Sequence, residues 1–232
     1  MTVPHRLIAV TATWVMAATA AFAQGGSTSA TPDARAEAGK IIQALKNDAA
    51  IHAYTWTETN VVLVDGKDKH TAVNACSYGP EGKVVRTPAN AGAAEQMAKG
   101  VPGTTGEING YLSQAVALMR GYVRPRTDKL EECRSAGRVS AVQEAGQRMK
   151  LTFKDYLKPG DQLTLEVDTA TNHLTALSAS TYMTNRADKA EIHTEMSQLP
   201  DGTDYPSSIK FATPERAMGV NVTNSDYKKK TS

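Results

Sequence analysis

The chain has 232 residues, with 26 Lys and Arg against 24 Asp and Glu and a formal net charge of +2. So near-neutral a balance gives no electrostatic case for nucleic acid or an anionic membrane as the partner. Aromatic residues make up only 6% of the chain, so the side chains that usually wall large apolar cavities are scarce.

The chain opens MTVPHRLIAVTATWVMAATAAFAQ. Arg6 gives a positive start, Leu7 to Ala20 is an uncharged, mostly apolar run, and Ala21-Phe22-Ala23 fits a small-residue cleavage site. That is the three-part layout of a secretory signal peptide over residues 1–23. The run is short for a membrane span and no other segment is apolar enough for one, so no transmembrane segment is expected after cleavage. Gln24 stands where a bacterial lipid anchor needs Cys. The expectation is a periplasmic or secreted protein. Residues 24–30 (QGGSTSA) read as a flexible leader. About 200 residues remain, enough for one domain with a sizeable core. Residues 31–225 are read as that domain and 226–232 as a basic, frayed tail.

Thr31-Pro32-Asp33 suits a helix start, with Thr as cap, Pro in the first turn and Asp at the positive end of the dipole. Ala34, Ala38, Ile41, Ile42, Leu45 and Ala49 recur at helical spacing, which predicts a helix to about residue 50. Three strands follow at 54–64, 71–78 and 83–87, dense in Thr, Val, Tyr and Trp and separated by Asp65-Gly66 and Gly79-Pro80. Residues 90–99 are Ala-rich and helical in character, and 100–106 is a Gly-containing loop. Ile108, Leu112, Ala115, Val116, Met119 and Val123 form a second helical stripe, ended by Pro125. Thr127 or Asp128 caps a shorter helix to about Ser135, with Gly137 as its stop. After Gly146 come strands at 149–156, 162–167, 173–183, 190–199, 207–213 and 218–223. Their separators are too short for parallel crossovers, so each neighbouring pair is a hairpin.

Within FKDYLKPGDQLTLEVD, Leu163, Leu165 and Val167 alternate with Gln162, Thr164, Glu166 and Asp168. Period two means one dry and one wet face. The order of elements predicts an α+β fold with one large antiparallel sheet, wet on one face and packed on the other. The stripes at 34–49 and 108–123 are the natural cover for the dry face. Cys76 and Cys133 form an even pair in an exported chain, which favours a disulfide worth about 4 kcal/mol on the chain-entropy model.

The element order, with the segments TPDARAEAGKIIQAL, YTWTETNVVLVDG and FKDYLKPGDQLTLEVD, resembles the LolA/LolB-like group of exported proteins. The resemblance spans residues 31 to about 225 and rests on architecture, so it transfers no functional residue by motif. It implies a strongly curved, half-barrel-like antiparallel sheet, covered on one face by an N-terminal helix and an inserted helical segment. It also implies a cavity between the two layers that accepts acyl chains.

No catalytic or metal constellation is written in the sequence. Ser207-Ser208-Ile209-Lys210 fits S-x-x-K but follows Pro206 in a strand pattern. Gly100, Gly103 and Gly106 lack phosphate-loop spacing. His52, His70, His173 and His193 form no metal motif. Asp155, Asp161, Glu166 and Asp168 read as turn and wet-face residues. The leading expectation is therefore a non-enzymatic binding protein, with no cofactor and no metal, that holds a lipid or other amphipathic ligand. The site would use Leu163, Leu165 and Val167 with Trp56 and the stripe Leu112, Val116, Met119. The alternative is a non-catalytic module with a closed core that binds another envelope protein, which the low aromatic content suits better.

Overall fold

The computed structural model describes residues 33–47, 50–80, 82–89 and 106–230, all of them within one compact unit, Thr31–Ser232. The segments expected to be a signal peptide (1–23), a flexible leader (24–30) and a helix (90–99) lie outside the described residues, as does all of the 100–106 loop but its last residue. Helix α1 spans Ala34–Asn47. Asp33 supplies a cap, its Oδ1 accepting from the Arg35 amide at 3.0 Å; Thr31, the expected cap, lies outside the described residues. A 3-10 turn, Ala50–Ala53, leads into strands β1 (Tyr54–Val64), β2 (Lys67–Tyr78) and β3 (Val84–Pro88). Helices α2 (Gly106–Val123) and α3 (Thr127–Ser135) follow. Then come β4 (Val139–Gln143), β5 (Arg148–Lys154), β6 (Gln162–Asp168) and β7 (His173–Tyr182), and finally β8 (Lys189–Gln198), β9 (Asp204–Thr213) and β10 (Met218–Lys229).

The strands form one open antiparallel sheet in the order β3-β2-β1-β10-β9-β8-β7-β6-β5-β4. Every neighbouring pair is a sequential hairpin except β1–β10, which joins the start of the unit to its end, with Glu58 opposite Asn224 and Val62 opposite Val220. The segment between β3 and β4 must connect opposite edges. It carries α2 over β8 and β9 and lays α3 against β5 and α1. This is the α+β architecture expected from the hydrophobic patterning, with the helices on one face.

The dry face of β6 is fully covered: Leu163, Leu165 and Val167 are 0%, 0% and 1% exposed. They pack in one cluster with Ile41 and Ile42 of α1, Leu112 and Met119 of α2, and Leu130 of α3. Each such aliphatic side chain contributes about 1.5–3 kcal/mol by leaving water.

Several expectations are corrected. Cys76 and Cys133 are free thiols. Cys76 belongs to a small cluster with Ile51, Trp56 and Tyr78, whereas Cys133 of α3 belongs to the main core, so the fold gives the two no shared location to bridge. Asp161 is not a wet-face residue: it is 1% exposed. Its carboxylate accepts the amides of Tyr156, Leu157 and Lys158 at 2.6, 3.1 and 2.9 Å, closing the β5–β6 loop from inside. Residues 227–229 belong to β10, and Lys230 is held too, its amide bonded to the Ala53 carbonyl at 2.7 Å. The cap of α3 is Arg126, which makes no side-chain cap bond; its amide donates to Tyr156 Oη at 2.6 Å instead. Strand β4 was not expected at all, because a five-residue edge strand of mostly exposed residues carries little hydrophobic signal.

Candidate functional site

The helices cover β5 to β9 more closely than they cover β1 to β3. Between α2 and the β3-β2-β1-β10-β9 part of the sheet lies an open cleft of about 820 Å³, within the size range of small-molecule sites. Period-two alternation puts Trp56, Glu58, Asn60 and Val62 of β1 on its floor, with Asn74 of β2 and Val222 of β10 beside them. Val116, Met119 and Val123 of α2 form the opposite wall.

The floor changes character along its length. At one end Val62, Val220, Val222 and Ala72 make it mostly apolar, with His70 opposite Val62 and Asn60 beside Ala72. Next comes a polar row in strict register across three strands: Asn224 of β10, Glu58 of β1 and Asn74 of β2. All three are buried, at 7%, 5% and 1% exposure. Beyond the row stands an aromatic group. Trp56 stacks on Tyr227 with ring centroids 5.7 Å apart and leans on Tyr78 at 5.0 Å. The Trp56 indole N–H donates to Asn224 Oδ1 at 3.1 Å, and Asn224 Nδ2 donates to the Pro206 carbonyl at 2.8 Å. The largest side chain on the floor is thereby fixed to the polar row.

Glu58 is a buried carboxylate with a full set of partners. Arg86 of β3 grips it through Nε at 2.7 Å and Nη2 at 2.9 Å, and Asn60 Nδ2 donates at 2.9 Å. Burial disfavours the charge on Arg86, but the hydrogen bonds and charge of Glu58 outweigh it and raise the Arg86 pKa above its ordinary value. Burial, reinforced by the charge of Glu58, pushes the Cys76 thiol up to about 12. Among the described residues, four cationic side chains, Lys83, Arg86, Arg120 and Arg124, line the cleft against the one carboxylate of Glu58. The surplus charge of these described residues is therefore positive, although the whole chain is near neutral.

No family model matches the chain, and no curated protein matches it in sequence. Three solved structures are similar to it. One is a DUF1329 family protein from Desulfovibrio piger, 10% identical, with a TM-score of 0.46 over 86% of this chain and 95% of that one. Another is a putative outer membrane lipoprotein-sorting protein domain from Vibrio parahaemolyticus, 9% identical, with a TM-score of 0.40 over 83% and 92%. The third is a LolA superfamily protein from Nitrosomonas europaea, 9% identical, with a TM-score of 0.38 over 84% and 94%.

Of the residues expected to bind ligand, Trp56, Leu112, Val116 and Met119 line the cleft. Leu163, Leu165 and Val167 do not: they are sealed in the core under the helices. Sequence reasoning missed Glu58, Asn74, Asn224 and Arg86. A signal existed, since Glu58 shares the inward parity of Trp56 and Val62, but a single strand does not reveal which of its faces is roofed. Elsewhere, Ser207 and Lys210 lie on β9 rather than a helix. His173 pairs with Asp204, Nδ1 to Oδ2 at 3.1 Å. Among the described residues no group of three or more His, Cys, Asp or Glu is placed to hold a metal ion. Among them, too, no helix is long and apolar enough to cross a membrane.

Proposed function

We propose that the protein is an exported binding protein whose cleft takes an amphipathic ligand, apolar chain against Val62, Val220, Val116 and Met119 and polar end beyond the row of Asn224, Glu58 and Asn74. The observation that carries this reading is the cleft itself: about 820 Å³ of space, continuous with the apolar side of the sheet, that the described side chains leave open. A module with a closed core needs that space filled. Trp56 and the α2 stripe supply the rigid apolar walls such sites use. Burying a ten-carbon chain gains about 8 kcal/mol, at about 0.8 per methylene. Association costs about 4–15 kcal/mol. Chain burial alone therefore roughly offsets the cost of binding, and the polar end decides the affinity.

The binding test is native mass spectrometry and solvent extraction of the purified chain, together with titration by a fluorescent fatty acid. Recovery of a stoichiometric amphiphile, or saturable probe binding that is lost in Val116→Trp, supports the reading. A protein that arrives empty and binds no probe overturns it. Export is tested separately, by fractionating cells that express the full chain: a shortened product outside the cytoplasm supports it, and full-length protein retained in the cytoplasm overturns it.

A further inference from the structure

The positive charge of the cleft is unevenly committed. Arg86 is spent on Glu58 through two hydrogen bonds. Arg124 lies over the Tyr78 ring, 4.3 Å from its centroid, and its Nη2 donates to Tyr78 Oη. That occupies one donor of a guanidinium that has five. Arg120 lines the space from an exposed position on α2, and no hydrogen bond or ion pair to a described residue engages it. Desolvation, and then the charge of Arg86, hold its pKa below the ordinary value. Arg120 and Arg124 stand one helical turn apart, a spacing at which like charges repel. The C-terminal end of α2 favours cations, which accounts for their presence there but not for their lining a cleft.

A second observation lies on the floor. Asn74 is 1% exposed, lines the cleft, and its Oδ1 is buried with no hydrogen-bond partner. A buried acceptor left unpaired is the exception in folded proteins, and this one belongs to a residue that lines the cleft. A site with surplus guanidinium donors and one orphaned acceptor suits an anionic head group that also bears a hydroxyl or amide.

We infer that the cleft carries an anion subsite, in which Arg120 and Arg124 receive a carboxylate or phosphate of the ligand at the aromatic end while Asn74 accepts a hydrogen from the same head group. This rests on the binding reading above and adds the class of ligand, an anionic amphiphile. Glu58 stays paired with Arg86 and repels any anion that would displace it. The head group is thereby steered to Arg120 and Arg124.

The test compares a dansyl-labelled fatty acid with its methyl ester, on the full chain and on the double variant Arg120→Gln/Arg124→Gln. The two probes share a chain and differ in charge. The subsite predicts that the acid binds about tenfold or more tightly than the ester, as expected for charge-assisted bonds, and that the gap closes in the double variant. The advantage of the acid should also shrink as salt rises. Equal binding of acid and ester to the wild type overturns the inference and leaves the binding reading standing. Binding of neither probe overturns both. Inorganic phosphate that displaces the acid, with the same dependence on the two arginines, supports the subsite and assigns it to a free anion. Displacement only by anionic lipid vesicles supports it as a head-group site. If the double variant does not fold, the wild-type comparison of acid with ester decides alone.

Discussion

Tyr122 of α2 donates its phenolic hydrogen to Asp161 Oδ2 at 2.5 Å, and its oxygen lies 2.8 Å from Thr181 Oγ1. The tyrosine is fully buried. Burial first, and then the adjacent carboxylate, raise its pKa. This contact ties the helical roof to the β5–β6 loop and to the end of β7. Tyr122→Phe keeps the ring and removes the bond, so it isolates the polar tie. A loss of about 1.5–3 kcal/mol is expected for a hydrogen bond to a charged group. Urea unfolding measures it; an unchanged midpoint would mean that the roof is held by packing alone.

Core and cleft are separable by mutation. Leu163→Ala removes side-chain volume from the sealed core and should cost about 2–5 kcal/mol while leaving probe affinity unchanged. Val116→Trp places bulk in open space and should abolish probe binding with little loss of stability. Paired denaturation and fluorescence titrations check both. The reverse pattern, a binding defect in Leu163→Ala with Val116→Trp silent, would put the site somewhere else.

Acid stability should depend on Asp201. Its carboxylate accepts from Tyr54 Oη at 2.5 Å. That bond, aided by Thr203, lowers its pKa from 3.8 to about 2. A depressed carboxylate contributes stability that is fully present above its unfolded pKa and is lost as pH falls through its folded one. The Asp201 contribution should therefore fade between about pH 4 and pH 2. Urea midpoints followed over that range should fall less steeply in Asp201→Asn than in the wild type. Parallel curves would show that another group carries the acid sensitivity.

Both cysteines should titrate as thiols. In the native state they are buried, and the Cys76 thiol, held up at about 12, supplies almost no thiolate at pH 8. Alkylation by iodoacetamide should be slow in the folded protein and reach both sites promptly in denaturant without reductant. A mass two units low that resists alkylation would reveal a bridge.

Much of the fold was legible because it is written locally. Alternation in Leu163, Leu165 and Val167 and helical spacing in Ala38, Ile41 and Ile42 identify buried faces from neighbours in sequence. The floor of the cleft was not legible, because it is assembled from partners far apart. Asn224 is meaningless beside Glu58 until β1 and β10 are known to pair. The aromatic content misled for a related reason. An average of 6% hides that Trp56, Tyr78, Tyr205 and Tyr227 gather in one small cluster. Asp161 misled by chemistry: a turn aspartate usually faces water, but here three amides and a tyrosine hydroxyl replace that water.

The pairing of β1 with β10 sets an order of events for a polypeptide made from its N-terminus onward. Trp56 and Asn224, which meet on the cleft floor, stand 168 positions apart. Contacts of such long range are late and slow to form. The receptacle has no bottom until its closing strand has emerged and zipped against the opening one. A partly made chain therefore has no complete cleft floor, and the cleft becomes a property of the finished molecule only.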